Sequence, residues 1–208
     1  MKAIQITFKY LRAHKLLTVF VALLLAVGIN NAIEALTPAK EIALIIGEPW
    51  DDMQKRSTAT IGPVYEGHHW YREPSELAYM RFADPKHGFV TPPAKFFTVG
   101  FDDQARIDGV RISPQLEPLP LQEALDIVLD LQNQWRNNGW ELSDPEDFPA
   151  YEDNDQWRQA IENCRSSSTQ WHAAPLYDLM IVVTCFKSSG FFKKSGYLVT
   201  ISMGKYNP

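Results

Sequence analysis

Hydrophobic residues follow three patterns along the chain, and each pattern predicts a different element. Near the start, fourteen residues from Leu16 to Ile29 carry no charge. Two β-rich runs, Lys95–Phe101 and Arg106–Ser113, are separated by four residues, which predicts a β-hairpin. The clearest amphipathic helix begins at Leu121, because apolar residues then recur at the helical period. These residues are Ala124, Leu125, Val128, Leu131 and Trp135.

Shorter patterns predict the remaining elements. Gly139 supplies the left-handed residue that ends the long helix, and Trp140 supplies the apolar residue that packs back on it. Short helices are predicted after Pro49 and around Trp157, and a loop is predicted at Ser166–Thr169. Further strands are predicted at Glu41–Gly47, Leu77–Phe82, Tyr177–Phe186 and Tyr197–Met203. The fold class is therefore α+β, an antiparallel sheet with two main helices packed on it, preceded by one N-terminal membrane helix.

The uncharged run near the start indicates export. Four basic residues and no acid precede it, which is typical of segments that enter the bacterial inner membrane. These residues are Lys2, Lys9, Arg12 and Lys15. We expect a cytoplasmic basic region at 1–15, a signal anchor or signal peptide at 16–36, and a single periplasmic α+β domain at 37–208.

Retention and cleavage of this leader both remain open. A spanning helix needs about 20 apolar residues, so Leu16–Ile29 alone is short, and Ala26-Val27-Gly28 has the small residues that signal peptidase selects. Ala32–Leu36 extends the apolar stretch to about 21 residues, which favours a retained anchor. The expected location is the bacterial inner membrane with the domain in the periplasm, or the soluble periplasm if the chain is cut after Gly28.

The two cysteines agree with export. Cys164 and Cys185 both lie in the exported part, and an even pair in an oxidising compartment predicts a disulfide. Closing a loop of about 20 residues restricts the unfolded chain by roughly 3 kcal/mol. Two buried free thiols are the alternative.

Charge limits the class of partner. Because residues 1–28 hold four Lys or Arg and no acid, the net charge of −5 for the whole chain becomes −9 for the remainder. An acidic domain argues against nucleic acid and is compatible with a basic protein partner. Six carboxylates lie within residues 144–155, and Glu152, Asp153 and Asp155 are predicted to contact the partner. The alternatives are a solvated loop and acids that stabilise the following helix N-terminus.

Aromatic residues outside the helices are the other predicted contacts. Trp70 and Tyr71 lie in a turn-rich stretch, and Trp171 lies in another irregular stretch. In such stretches an aromatic residue either covers the core or anchors a partner. A predicted hairpin loop carries two aromatic and two basic residues in succession, and the pair of aromatics cannot easily be buried together. These residues are Phe191, Phe192, Lys193 and Lys194.

Catalytic motifs are sparse. The sequence has no GxSxG elbow, P-loop, GxGxxG or HExxH, and the adjacent His68 and His69 point to opposite faces of an extended chain. The acidic run also lacks the spacing of an EF-hand loop. We therefore expect no enzymatic activity, no metal and no cofactor, with a cell-envelope hydrolase as an alternative.

The layout resembles a known class of envelope protein. An apolar anchor at Leu16–Ile29 and the block LPLQEALDIVLDLQNQWRNNGW (Leu119–Trp140) are similar to membrane-anchored periplasmic immunity proteins of bacterial contact-dependent toxin secretion systems. The resemblance implies a tethered domain that neutralises a secreted toxin by docking into its active site. An accessory or assembly subunit of an inner-membrane complex is the alternative binding function.

Overall fold

The computed structural model describes residues 39–165, 167–186 and 196–207. Within these residues the chain forms ten strands and three helices. The strands are β1 (Lys40–Leu44), β2 (Trp70–Arg72), β3 (Ala78–Phe82), β4 (Phe89–Val90), β5 (Phe96–Phe101), β6 (Ile107–Ser113), β7 (Glu141–Leu142), β8 (Ser167–Ala173), β9 (Tyr177–Phe186) and β10 (Gly196–Lys205). The helices are α1 (Trp50–Arg56), α2 (Leu121–Asn137) and α3 (Asp155–Glu162).

A seven-stranded antiparallel sheet dominates the fold and confirms the predicted α+β class. Its strand order is β2-β5-β6-β10-β9-β8-β7. The predicted hairpin forms between β5 and β6, with Asp102 accepting hydrogen bonds from the amides of Gln104 and Arg106 in the turn. Alternation along the strands gives the sheet one buried face. On β9 the buried residues are Tyr177, Leu179, Ile181 and Val183.

A second, three-stranded sheet was not foreseen. Its order is β1-β3-β4, and β1 pairs with β3 in parallel although the main sheet is antiparallel throughout. Helix α1 packs against β1 and buries Met53. The alternating burial of β3 places Met80 in the same core as the main sheet, so the two sheets share one hydrophobic interior.

Helix α2 forms where the apolar period predicts it and packs on β10. Its last full turn carries Trp135, which is fully buried and lies 5.6 Å from the ring of Trp171. Gly139 adopts a positive φ of 73°, and the amide of Trp140 donates to the carbonyl of Trp135 at 3.0 Å. These are the bonds of a Schellman motif, so the predicted helix end is confirmed.

The predicted loop at Ser166–Thr169 is wrong, because β8 already begins at Ser167. Thr169 takes a core position that an apolar residue usually fills, and its hydroxyl accepts a hydrogen bond from the indole of Trp171. Trp171 is 1% exposed, so it belongs to the core and not to an irregular stretch. The polar SSTQ run hid the alternation that defines this strand.

The disulfide prediction is confirmed. Cys164 follows α3 and is bonded to Cys185 on β9, with their Cα atoms 5.3 Å apart. The predicted leader at 1–36 lies outside the described residues. No helix within the described residues has both the length and the apolar character to cross a membrane.

Candidate functional site

A groove of ≈ 570 Å³ lies beside the predicted acidic contact region, between the segment that precedes α3, the helix itself and strand β8. Its lining combines five apolar residues with polar ones, among them two exposed carboxylates, those of Asp147 and Glu152, which are here called the rim. The apolar lining consists of Phe148, Pro149, Ala150, Trp157 and Ala160. Apolar side chains beside charged groups are typical of protein-binding surfaces.

Local sequence explains how the apolar part of the lining forms. Asp144 accepts hydrogen bonds on one carboxylate oxygen from the amides of Glu146 and Asp147, and its carbonyl accepts from the amide of Phe148. Such an Asx turn reverses the chain after a short polar run. The aromatic side chain of Phe148 is thereby brought to the groove.

The opposite wall of the groove is built on Trp157. The side chain of Asn154 caps α3 by accepting from the amide of Trp157 at 2.9 Å. The indole then stacks on the ring of Tyr151, with centroids 4.4 Å apart. Burial raises the pKa of Tyr151 well above its usual range, and its hydroxyl accepts a hydrogen bond from the amide of Val183. A buried, neutral tyrosine therefore supports the partly buried tryptophan.

Helix α2 fixes the segment that carries this wall. The buried amide of Gln132 donates to the carbonyl of Tyr151 at 3.0 Å and accepts from its amide at 2.8 Å. The side chain thus pairs with the backbone as a neighbouring strand would. The disulfide between Cys164 and Cys185 holds the other end of α3 to the sheet.

Cys164 has an unusual backbone for a residue with a side chain. Its φ is 56°, and its amide donates to the carbonyl of Ile161 while the amide of Arg165 donates to that of Ala160. These bonds make a second Schellman motif, in which glycine is the favoured residue at the left-handed position. Cys164, which is bonded to Cys185, therefore takes a position at the helix end where glycine is usually found.

The three predicted acidic contacts have different environments. Glu152 lines the groove and accepts a hydrogen bond from Asn154. Asp153 lies outside the lining and pairs with Arg158. Asp155 is exposed in the first turn of α3, where its charge favours the helix dipole. The sequence did not indicate Asp147, because nothing in the pattern distinguishes it from the neighbouring acids.

The predicted aromatic contacts are not brought to this groove. Trp70 and Tyr71 lie on β2, at the opposite edge of the sheet from β7, and alternation directs them to opposite faces. The indole of Trp70 donates a hydrogen bond to the carbonyl of Tyr65, and the guanidinium of Arg72 lies 4.1 Å from the centroid of the Trp70 ring. The predicted loop contacts lie outside the described residues; they are Phe191, Phe192, Lys193 and Lys194.

One cluster of described residues has the composition of a catalytic triad but not its geometry. Ser143 lies 3.0 Å from Nδ1 of His172, and Asp178 is the cross-strand neighbour of that histidine. Asp178 accepts a hydrogen bond from the amide of Asn207, and the serine bond uses the ring nitrogen that a carboxylate occupies in a catalytic triad. The described part of the chain holds no group of three His, Cys, Asp or Glu side chains placed to bind a metal.

One further pair of residues has the spacing of a hydrolase sequence motif but not its structure. Ser202 and Lys205 stand in the order S-x-x-K, but they lie on strand β10 and not on a helix. Residues three apart on a strand point to opposite faces. The amine of Lys205 lies 3.7 Å from the carboxylate of Asp102, away from the serine.

Comparisons of the chain with protein-family models, with curated proteins and with solved structures found no match.

Proposed function

We propose that this chain is a protein-docking domain that binds a basic partner at the groove between α3 and β8. The observation that carries the proposal is a groove whose lining combines apolar residues, Phe148 and Trp157 among them, with the exposed carboxylates of Asp147 and Glu152. An apolar side chain of the partner enters the groove, and basic side chains face the rim.

The two parts of the site contribute differently. Burying apolar surface supplies affinity at roughly 25 cal/mol per Å² before ordering costs are subtracted. The carboxylates steer the encounter and reject acidic proteins, and salt screens this contribution. The net charge of −9 beyond residue 28 extends the same attraction over the whole domain.

We further propose that the partner is a secreted toxin and that residues 16–36 tether the domain to the inner membrane on its periplasmic side. The support is the layout shared with periplasmic immunity proteins and the disulfide, which suits an oxidising compartment. An accessory subunit of an envelope complex would use the same groove for a resident partner.

Site-specific photo-crosslinking tests the docking surface. A photoreactive amino acid replaces Gln156, which is exposed and lines the groove, and in a second strain it replaces Asn133, which is exposed on α2. We expect a protein adduct in native cells from position 156 and none from position 133. Equal adducts from both positions, or none from 156, would contradict the proposal.

Charge reversal then tests the rim. The double variant Asp147→Lys/Glu152→Lys is expected to weaken the adduct most at low salt, and Glu66→Lys/Glu73→Lys makes the same change of charge outside the groove. If both double variants lose the same amount of adduct, the effect depends on the total charge of the domain and not on the position of the rim carboxylates. A toxin in the adduct supports the immunity role, whereas a resident membrane complex supports the accessory role.

A further inference from the structure

A second surface lies on the other side of the seven-stranded sheet. The helices of the described residues pack on the buried face, so the opposite face, here called the open face, is uncovered by them. One row of cross-strand neighbours runs across all seven strands of this face. Its members are Tyr71, Gly100, Gly109, Gly204, Asp178, His172 and Glu141.

Two shallow cavities follow this row. One of ≈ 540 Å³ lies over β8, β9 and β10, and one of ≈ 330 Å³ lies over β5 and β6. Both are lined by Ser202 and Met203, so the two cavities adjoin; together they are here called the trough. Adjacent strands lie about 4.8 Å apart, which gives the row a length of roughly 29 Å. A trough open along its length suits a linear ligand.

Tyr71 is the aromatic wall of the trough. It is 74% exposed, and its ring carbon lies 3.4 Å from the point where a Cβ on Gly100 would be. Oδ1 of Asp108 lies 2.6 Å from the same point. Only glycine therefore allows a ring and a carboxylate to stand together above the backbone at this position. Gly109 and Gly204 continue the low floor toward Asp178.

The polar groups of the trough limit the ligand class. The trough is lined by two carboxylates, those of Asp108 and Asp178, and by one guanidinium, that of Arg111, which disfavours phosphate-rich ligands. Beside apolar residues such as Met180, the lining carries side-chain amides, hydroxyls and an imidazole, which a lipid chain would leave without hydrogen-bond partners. These groups are Gln170, Asn207, Ser202, Thr98 and His172.

We propose that the trough binds a linear saccharide. Its sugar rings present apolar C–H faces to the ring of Tyr71, and their hydroxyls donate to the carboxylates of Asp108 and Asp178 and accept from Arg111. The proposal uses a different surface from the docking groove and is independent of it. In the periplasmic location proposed above, the glycan strands of the cell wall are the saccharide within reach.

Calorimetric titration of the full-length chain tests the assignment. The probes are the soluble tetrasaccharides chitotetraose and cellotetraose, with pelleting on isolated peptidoglycan as the polymer arm. We expect at least one probe to bind, and Tyr71→Ala to weaken its binding by about tenfold or more. Tyr65→Ala is the matched control, because Tyr65 is 63% exposed and lines neither cavity.

Three outcomes would overturn the assignment: no saccharide binding, equal affinity in the parent and in the Tyr71→Ala and Arg111→Ala variants, or preferential binding of a tri-arginine peptide at this face. The Asp147→Lys/Glu152→Lys variant is expected to bind saccharide normally. Failure of this proposal and failure of the docking proposal are therefore distinguishable.

Discussion

Gln132 offers a sharp test of how the docking groove is held in place. In Gln132→Ala, the backbone amide and carbonyl of Tyr151 lose a side-chain partner inside the core, where Gln132 is 0% and Tyr151 1% exposed. Each buried backbone group that loses its hydrogen bond costs about 1–3 kcal/mol. We expect the free energy of unfolding to fall by about 2–5 kcal/mol.

The same helix supplies the control. Gln134 makes the same pair of bonds, donating to and accepting from the backbone of Val90, but this site is partly exposed. Water can replace the lost partner there, so Gln134→Ala is expected to cost about 1 kcal/mol or less. The two variants remove the same side chain and differ mainly in burial.

Urea unfolding followed by circular dichroism measures both variants. With a slope of about 2 kcal/mol per molar urea, the midpoint falls by about 1–2.5 M for Gln132→Ala and by about 0.5 M or less for Gln134→Ala. Equal shifts would refute the argument that burial of the Tyr151 backbone sets the cost. An unchanged slope is required for the comparison to be valid.

Three further predictions concern other parts of the fold. The variant Cys164→Ser/Cys185→Ser is expected to lose about 3 kcal/mol of stability, because the disulfide closes a loop with a sequence separation of 21. The variant Cys164→Gly/Cys185→Ser should be about 1 kcal/mol more stable than the serine pair, because glycine adopts the left-handed backbone of residue 164 without strain. Equal urea midpoints for the two variants would contradict this reasoning. Gly196→Ala is expected to lower the free energy of unfolding by about 1–3 kcal/mol, since the new Cβ would lie 2.9 Å from a backbone carbonyl carbon. Gly62→Ala is the control and should be near neutral, because the nearest atom to its Cβ is 3.6 Å away. Equal melting points for the two variants would be inconsistent with this prediction. Burial, and then a hydrogen bond to a neighbouring carboxylate, raises the pKa of Tyr177 to about 12, so its contribution to stability is present below pH 10 and is lost as pH rises toward 12. Tyr177→Phe should flatten that decline, and an unchanged alkaline unfolding profile would count against it.

The elements predicted correctly are those with a strong local period. The residues that determine helix α2 are close together in the sequence, and so are those of the hairpin formed by β5 and β6. Gly139 likewise ends its helix through a local backbone preference that does not depend on distant contacts. Strand β8 was missed because Thr169 fills a core position through a hydrogen bond to Trp171, which a hydrophobicity pattern does not register.

The candidate site was predictable only in part. Acidic composition indicated Glu152, but the sequence could not show that Asp153 is engaged by Arg158. Phe148 became an apolar lining residue only through the turn that Asp144 stabilises and the approach of α3. Such tertiary placement leaves no periodic signal in the chain.

The left-handed backbone at Cys164 makes the docking groove sensitive to the redox state of its surroundings. When the sulfur–sulfur bond to Cys185 is present, the cost of this conformation is offset by the restricted unfolded chain. When both thiols are reduced, the helix end retains a residue that disfavours its own conformation, by about 1–2 kcal/mol. The C-terminal end of α3 is then held by the buried Ile161 and by the chain that leads into β8, without a covalent cross-link to β9. We therefore expect the end of α3 beside the groove to be less stable in the reduced chain than in the oxidised chain.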